Sequence, residues 1–340
     1  MPTNADQETA LQSNFDPRLQ SENIAFERNA MLSCSKCSRA NPPNRFKCFY
    51  CGSELDLPDE RVAAITSTFR RLEPWERGVN VILSKTSVDA DLKMAASILS
   101  LETDEVGLIL ECGKGFPLAR VEDASAAGNM IARLRSVGIE CFSVDDSEVK
   151  FDSKPIRIGS VDFGSGEVGF KDFNTGKIDF FRSYEIALVV EGWVSKTRTD
   201  SVEKRRLRGG SKPVDQASMT TDDRILDIYP SGDHAGFRIM PAGFDFSCLG
   251  QQRALLAREN WGRILDLFKT KLPSAEFVLN YPEIRSALDP VWPVESRNET
   301  KGMINTGFGK REFGSIATTT NLKQFDRYSR LQKYLYETKR

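Results

Sequence analysis

Apolar residues change their spacing twice along this 340-residue chain, and each change predicts a different kind of structure. Residues 1–30 are polar and show no sustained period, which predicts a disordered tail. In 56–78, Val62, Ile65 and Phe69 recur at helical spacing before Pro74 and Gly78, so a connecting helix is expected there. Between 79 and 150 short apolar runs alternate with helical stretches. Strands are predicted at 79–84, 106–112, 116–121 and 139–144, and helices at 89–100 and 123–137. In the second helix Ala127, Met130, Ile131, Leu134 and Val137 share one face, with Asp123 placed to cap it and Gly138 to end it.

From 154 the period becomes two. Short strands are expected at 156–163, 167–173, 177–181, 185–194, 224–230, 236–241 and 244–249. A helix over 252–272 follows, with Trp261, Leu265, Phe268 and Leu272 as its stripe. The stretch 195–223 reads as a flexible insert with a basic centre at Lys204, Arg205, Arg206 and Arg208. An extension over 273–340 is Gly-, Asn- and Thr-rich after Pro293. It ends in an amphipathic helix over 321–340, carrying Phe325, Tyr328, Leu331 and Leu335 on one face.

These patterns predict an α+β multi-domain protein. The order β-α-β-β-α-β over 79–150 is similar to the ferredoxin-like split βαβ unit. Seven short strands followed by one helix over 154–272 resemble a pleckstrin-homology-like (PH-like) β-barrel module. Neither architecture implies a function by itself.

Charge and composition prune the possibilities. Lys+Arg number 47 and Asp+Glu 48, so no global field draws the chain to nucleic acid or to an acidic membrane. The longest apolar runs, such as 186–190 and 106–110, are too short to cross a bilayer, and the first residues lack a secretory pattern, so a cytoplasmic protein is expected. His234 is the single histidine, which excludes HExxH proteases and three-histidine zinc sites.

The seven cysteines are better read as thiols or metal ligands than as a disulfide framework. Four of them, Cys34, Cys37, Cys48 and Cys51, form two Cys-x-x-Cys pairs ten residues apart. Thiolates are soft ligands, and four in a tetrahedron suit one structural Zn²⁺, so zinc is the expected cofactor. Iron, or a redox pair, are the alternatives. A closed four-thiolate site leaves no position for substrate, so no catalytic residue is assigned to it. Asn41, Pro42, Pro43 and Asn44 supply a reversal between the pairs, and Gly52 suits a left-handed position after the second. Residues 31–55 then form a zinc ribbon whose folding energy comes from the metal.

This stretch resembles the short zinc ribbons of bacterial proteins, with Asn41-Pro42, Phe46 and Cys51-Gly52 matching their pattern. It is also similar to the Ran-binding-protein-type zinc finger, with Asn41 at that family's asparagine; Leu32 stands where the family usually carries Trp. The second resemblance implies binding of single-stranded RNA or of ubiquitin, with Arg45 at an arginine position. Between Met31 and Ser53 lie Lys36, Arg39, Arg45 and Lys47 and no acidic residue. Arg39, Arg45, Phe49 and Tyr50 are accordingly the candidate interaction surface.

Other motifs mislead. Gly164-Ser165-Gly166-Glu167-Val168-Gly169 spells GxGxxG, but alternating strand sequence follows where a dinucleotide loop must open a helix, so a strand–turn–strand is expected. His234 reads as a hairpin residue, Cys112, Cys141 and Cys248 as packed hydrophobes, and Asp145-Asp146 and Asp222-Asp223 as turn or capping residues. The expectation is therefore a non-enzymatic zinc protein whose ribbon and PH-like module bind another macromolecule, most simply a protein. The alternatives are a nucleic-acid binder using the ribbon and the 204–208 cluster, and an enzyme with a site between the α/β and β modules.

Overall fold

The structure is a computed structural model. It describes residues 31–42, 48–55, 72–73, 75–205, 211–307 and 310–339; within strands, 203–205, 211–215, 303–307 and 310–313 are described by backbone alone. The expected tail over 1–30 and most of the expected 56–78 helix lie outside these residues. The chain divides into two compact units, Met1–Thr68 and Phe69–Arg340.

In the first unit β1 (Leu32–Ser33) and β2 (Ala40–Asn41) pair antiparallel, Leu32 opposite Asn41. Among its described residues Cys34, Cys48 and Leu55 are the buried apolar ones.

The second unit begins with β3 (Val79–Thr86), α1 (Leu92–Leu99), α2 (Thr103–Glu111), β4 (Pro117–Val121), α3 (Ala124–Ser136), β5 (Ile139–Asp145) and the short α4 (Asp146–Val149). The three strands form an antiparallel sheet in the order β4-β3-β5. The order is β-α-α-β-α-β, which corrects the ferredoxin-like β-α-β-β-α-β expectation. The apolar run at 106–110 is the inner face of α2: Val106 and Ile109 are buried, one turn apart, and Leu108 is exposed. A reciprocal cap between Glu102 and Glu105 opens this helix. Short apolar runs do not distinguish a strand from a buried helix by periodicity, and here the cap decides.

The larger sheet is built from β6 (Ile156–Phe163), β7 (Glu167–Asp172), β8 (Ile178–Arg182), β9 (Ile186–Arg205), β10 (Ser211–Pro230), β11 (Phe237–Ile239), β12 (Glu276–Val278), β13 (Glu295–Gly307) and β14 (Lys310–Thr320). Its order is β13-β14-β9-β10-β11-β6-β7-β8, with β12 alongside β9. The sheet curls into a half-barrel and does not form the closed PH-like barrel expected. Two helices, α5 (Ala257–Lys271) and α7 (Leu322–Thr338), cover its two faces, and α6 (Tyr281–Ile284) lies between them in sequence.

Alternation along the central strands assigns each residue to one helix or the other. Val189, Leu226 and Ile228 pack with Trp261, Ile264 and Phe268 of α5. Leu188, Val190, Ile225 and Tyr229 belong to a second core with Phe325, Tyr328 and Leu331 of α7. That second core also contains Val81, Leu83, Ile109, Leu118 and Leu134 of the βααβαβ segment, so this segment shares its interior with the large sheet. Burial on both faces explains the continuous apolar run 186–190. Polar links run alongside: the Trp292 indole N–H donates to Asn80 Oδ1 (3.2 Å), and the Asn80 amide donates to Asp146 Oδ1 (2.8 Å). Asp146 also accepts from the Arg120 guanidinium.

Residues 195–205 and 211–223, expected as a flexible insert, are instead strand: β9 and β10 run on as a hairpin. The Gly/Asn/Thr-rich stretch after Pro293 adds the hairpin β13–β14 against β9. Beyond the core this four-stranded arm is polar on both sides. Thr197 opposes Thr319 and Thr220, Thr199 opposes Ala317 and Ser218, and Ser201 opposes Ser315, so one face is a field of hydroxyls. Cross-strand hydroxyl pairs link it at 3.0 Å (Thr197–Thr220), 3.3 Å (Thr199–Ser218) and 2.8 Å (Ser201–Ser315). The opposite face carries Lys196, Arg198, Asp200, Arg297 and Glu299. A polar, β-branched alternation reads as loop when burial is the only criterion, but neighbouring strands satisfy its backbone.

Candidate metal centre

Each Cys-x-x-Cys pair occupies the same kind of turn. In the first, the Ser38 amide donates to Cys34 O (2.9 Å) and the Cys34 amide to Arg39 O (3.0 Å), with Ser38 left-handed at φ 53°. In the second, the Gly52 amide donates to Cys48 O (2.9 Å) and the Cys48 amide to Ser53 O (2.8 Å), with Gly52 at φ 71°. The left-handed glycine expected after the second pair is present, and Ser38 holds the equivalent position after the first.

The two turns bring all four Sγ atoms within 4.8 Å of one another. Cys34 and Cys51 are 3.6 Å apart, and Cys37 and Cys48 are 3.5 Å apart. Four sulfurs at roughly 2.3 Å from a central ion would stand about 3.8 Å from one another, so the geometry fits one tetrahedral metal ion. The donor set, four soft thiolates, suits zinc or iron.

Two further residues shape the site. Asn41 is fully buried. Its amide donates to Arg39 O (2.9 Å) and approaches Cys48 Sγ (3.5 Å), while its Oδ1 accepts from the Phe49 amide (2.8 Å). One side chain therefore clamps the first turn to the second. Ser53 Oγ lies 3.2 Å from Cys34 Sγ and 2.9 Å from Cys51 Sγ. The position of Asn41 is legible in the zinc-finger pattern, although its clamping role is not. Nothing in the pattern of residues marks Ser53.

The thiols share protons unevenly. The Ser53 hydroxyl, then the Cys37 backbone, draw the Cys34 thiol down to about 6. Around Cys37 the Arg39 backbone pulls downward, but burial and the neighbouring sulfurs outweigh it and push this thiol up to about 12. Four thiolates this close cannot ionise together without a cation among them.

Of the candidate surface residues, Arg39, Phe49 and Tyr50 are described, and Arg45 lies outside the described residues. Phe49 is 68% exposed and Tyr50 53% exposed, and their rings meet edge to face at 5.5 Å. The Arg39 guanidinium sits 4.7 Å from the Tyr50 ring centre, within cation–π range. In the basic cluster, Lys204 and Arg205 are the last residues of β9, and Arg206 and Arg208 lie outside the described residues.

Elsewhere a cavity of about 470 Å³ opens between Cys112–Phe116, Phe277–Ile284 and Tyr328–Gln332. Burial raises the Cys112 thiol and the Tyr328 phenol, keeping both neutral, the opposite of what a nucleophile requires. Gly164–Gly166 form the β6–β7 turn, with the Gly164 amide donating to Glu167 O (2.9 Å). His234 lies in the β10–β11 turn against Phe181 and Phe237. Among the described residues no helix is long and apolar enough to cross a membrane. No family model, curated protein or solved structure matches the chain.

Proposed function

We propose that residues 31–55 are a structural zinc ribbon and that the protein is a non-enzymatic, cytoplasmic binder of another protein. The convergence of four thiols supports the metal. The observation that carries the binding role is the exposure of two adjacent aromatic rings beside that centre, with Arg39 stacked over one of them. Large aromatics and arginine are enriched where protein surfaces meet. In this reading zinc supplies rigidity: it holds both turns, and the second turn presents Phe49 and Tyr50.

Elemental analysis of the untagged protein tests the metal, expecting one zinc per chain that the Cys48→Ser, Cys51→Ser variant loses. Iron in its place, or no metal, overturns the ribbon. A photo-reactive residue replacing Phe49 tests the surface in cells. Protein adducts lost with Tyr50→Ala and Arg39→Ala support the reading, and RNA adducts would replace it with nucleic-acid binding through the ribbon.

A further inference from the structure

The edge of the large sheet carries an unusual order of charge. β13 is its terminal strand, paired only with β14 among the described residues, and Ser296 to Thr300 are all exposed. Glu295, Arg297 and Glu299 share a face, and Lys301 reaches Asp200 on that same face (3.3 Å), so the signs run minus, plus, minus, plus. Ser296, Asn298 and Thr300 occupy the hydroxyl face. This order is self-complementary under two-fold reversal. If a second copy lies antiparallel with Asn298 opposite Asn298, Arg297 meets Glu299 twice and Ser296 meets Thr300 twice, while Glu295 and Lys301, at the ends of this stretch, already pair with Lys323 and Asp200. Sliding the register by two residues in either direction sets like charges opposite one another, and sliding by one sets charges against hydroxyls.

We propose that this edge is a self-association surface, at which two copies of the chain join β13 to β13 about Asn298 and continue the sheet across the dimer. Unpaired edge groups then find partners, and the cross-strand charge pairs select the register. Charges also blunt exposed edges, but blunting needs only charge. An order of opposite signs that matches itself on reversal serves pairing. In the single chain Arg297 and Glu299 pair with each other at 3.1 Å, with side chains 80% and 56% exposed, so little is lost when each gains an opposite neighbour. The bulge at Lys301 and Gly302 (φ 78°) ends the regular edge. A contact this short belongs to the weak class, with a dissociation constant on the order of 10–100 μM.

Sedimentation equilibrium of the full chain between about 5 and 500 μM tests the proposal through charge exchange. Arg297→Glu alone places two acidic residues opposite each other twice per dimer, and Glu299→Arg alone does the same with two basic ones. Each should weaken association at least about tenfold. The double variant Arg297→Glu, Glu299→Arg restores every opposite pair and should return to within about threefold of the parent. An equimolar mixture of the two single variants should form the heterodimer. Rescue in the double variant and in the mixture also separates the proposal from simple misfolding. A parent that stays monomeric, single variants that associate like the parent, or a double variant and mixture that stay dissociated would each overturn it.

Discussion

Asp227 of β10 and Arg238 of β11 face each other as a two-pronged ion pair inside the protein. Nε meets Oδ1 at 2.6 Å and Nη2 meets Oδ2 at 2.7 Å, and the Asp227 side chain is wholly buried. Arg238 extends its third nitrogen to Asp326 of α7 (2.7 Å), and Ser329 donates to Asp227 (2.7 Å). One guanidinium thereby ties the large sheet to the helix that covers it. Two carboxylates and an arginine inside a core are costly to desolvate, and the geometry offsets that cost only while every partner is present.

Asp227→Ala should therefore lower stability by about 3–5 kcal/mol, because it removes both prongs of the pair and leaves only Asp326 to hold a buried guanidinium. Asp326→Ala should cost less, since that carboxylate is 28% exposed and Arg238 keeps its better partner. Urea unfolding of the two variants beside the parent checks the order; equal losses would remove the distinction between them.

At Gly192 of β9 the Phe325 ring occupies the space where a Cβ would stand, and Phe325 is itself fully buried. Gly192→Ala should push α7 away from the sheet and cost roughly 1–3 kcal/mol, seen as a lower melting temperature. Smaller residues at position 325 should relieve part of this strain, so Gly192→Ala with Phe325→Leu should lose less than the two single losses combined.

Asn41 touches both Cys-x-x-Cys turns of the proposed metal centre without supplying a thiolate. Asn41→Ala should leave the metal stoichiometry unchanged while weakening affinity about 10–100-fold, measured by competition with a chromophoric chelator. An unchanged affinity would mean that the four thiols orient themselves.

Asp145 caps α4, accepting from the Ser147 hydroxyl (2.5 Å) and amide (2.8 Å), and these bonds hold its carboxyl below the ordinary 3.8. A lowered folded value means that the stabilisation is complete above 3.8 and is lost as pH falls through the lower folded value. Asp145→Asn should accordingly flatten the acid limb of stability below about pH 4, while leaving the slope near neutrality unchanged. Urea midpoints across about pH 2–7 compare the two proteins.

Much of the candidate site is legible in the order of residues because its chemistry is local. Cys-x-x-Cys spacing, repeated within eighteen residues, encodes its own turn, and the convergence of Cys34, Cys37, Cys48 and Cys51 needs nothing from the remainder of the chain. Helical periods are legible for the same reason: α3, α5 and α7 lie where their apolar stripes predict, since a stripe reports burial of one face wherever its cover comes from.

What the residues alone determined is thus the donor set, the amphipathic helices and the short strands of the core. At 106–110 the apolar run fits helix and strand alike, and the local Glu102–Glu105 cap separates them. Only strand pairing decided that 195–205, 211–223, 295–307 and 310–320 form one polar arm. Those segments bury little apolar surface, and their backbone bonds are satisfied by partners about a hundred residues away, such as Ser201 with Ser315, which no local pattern can register.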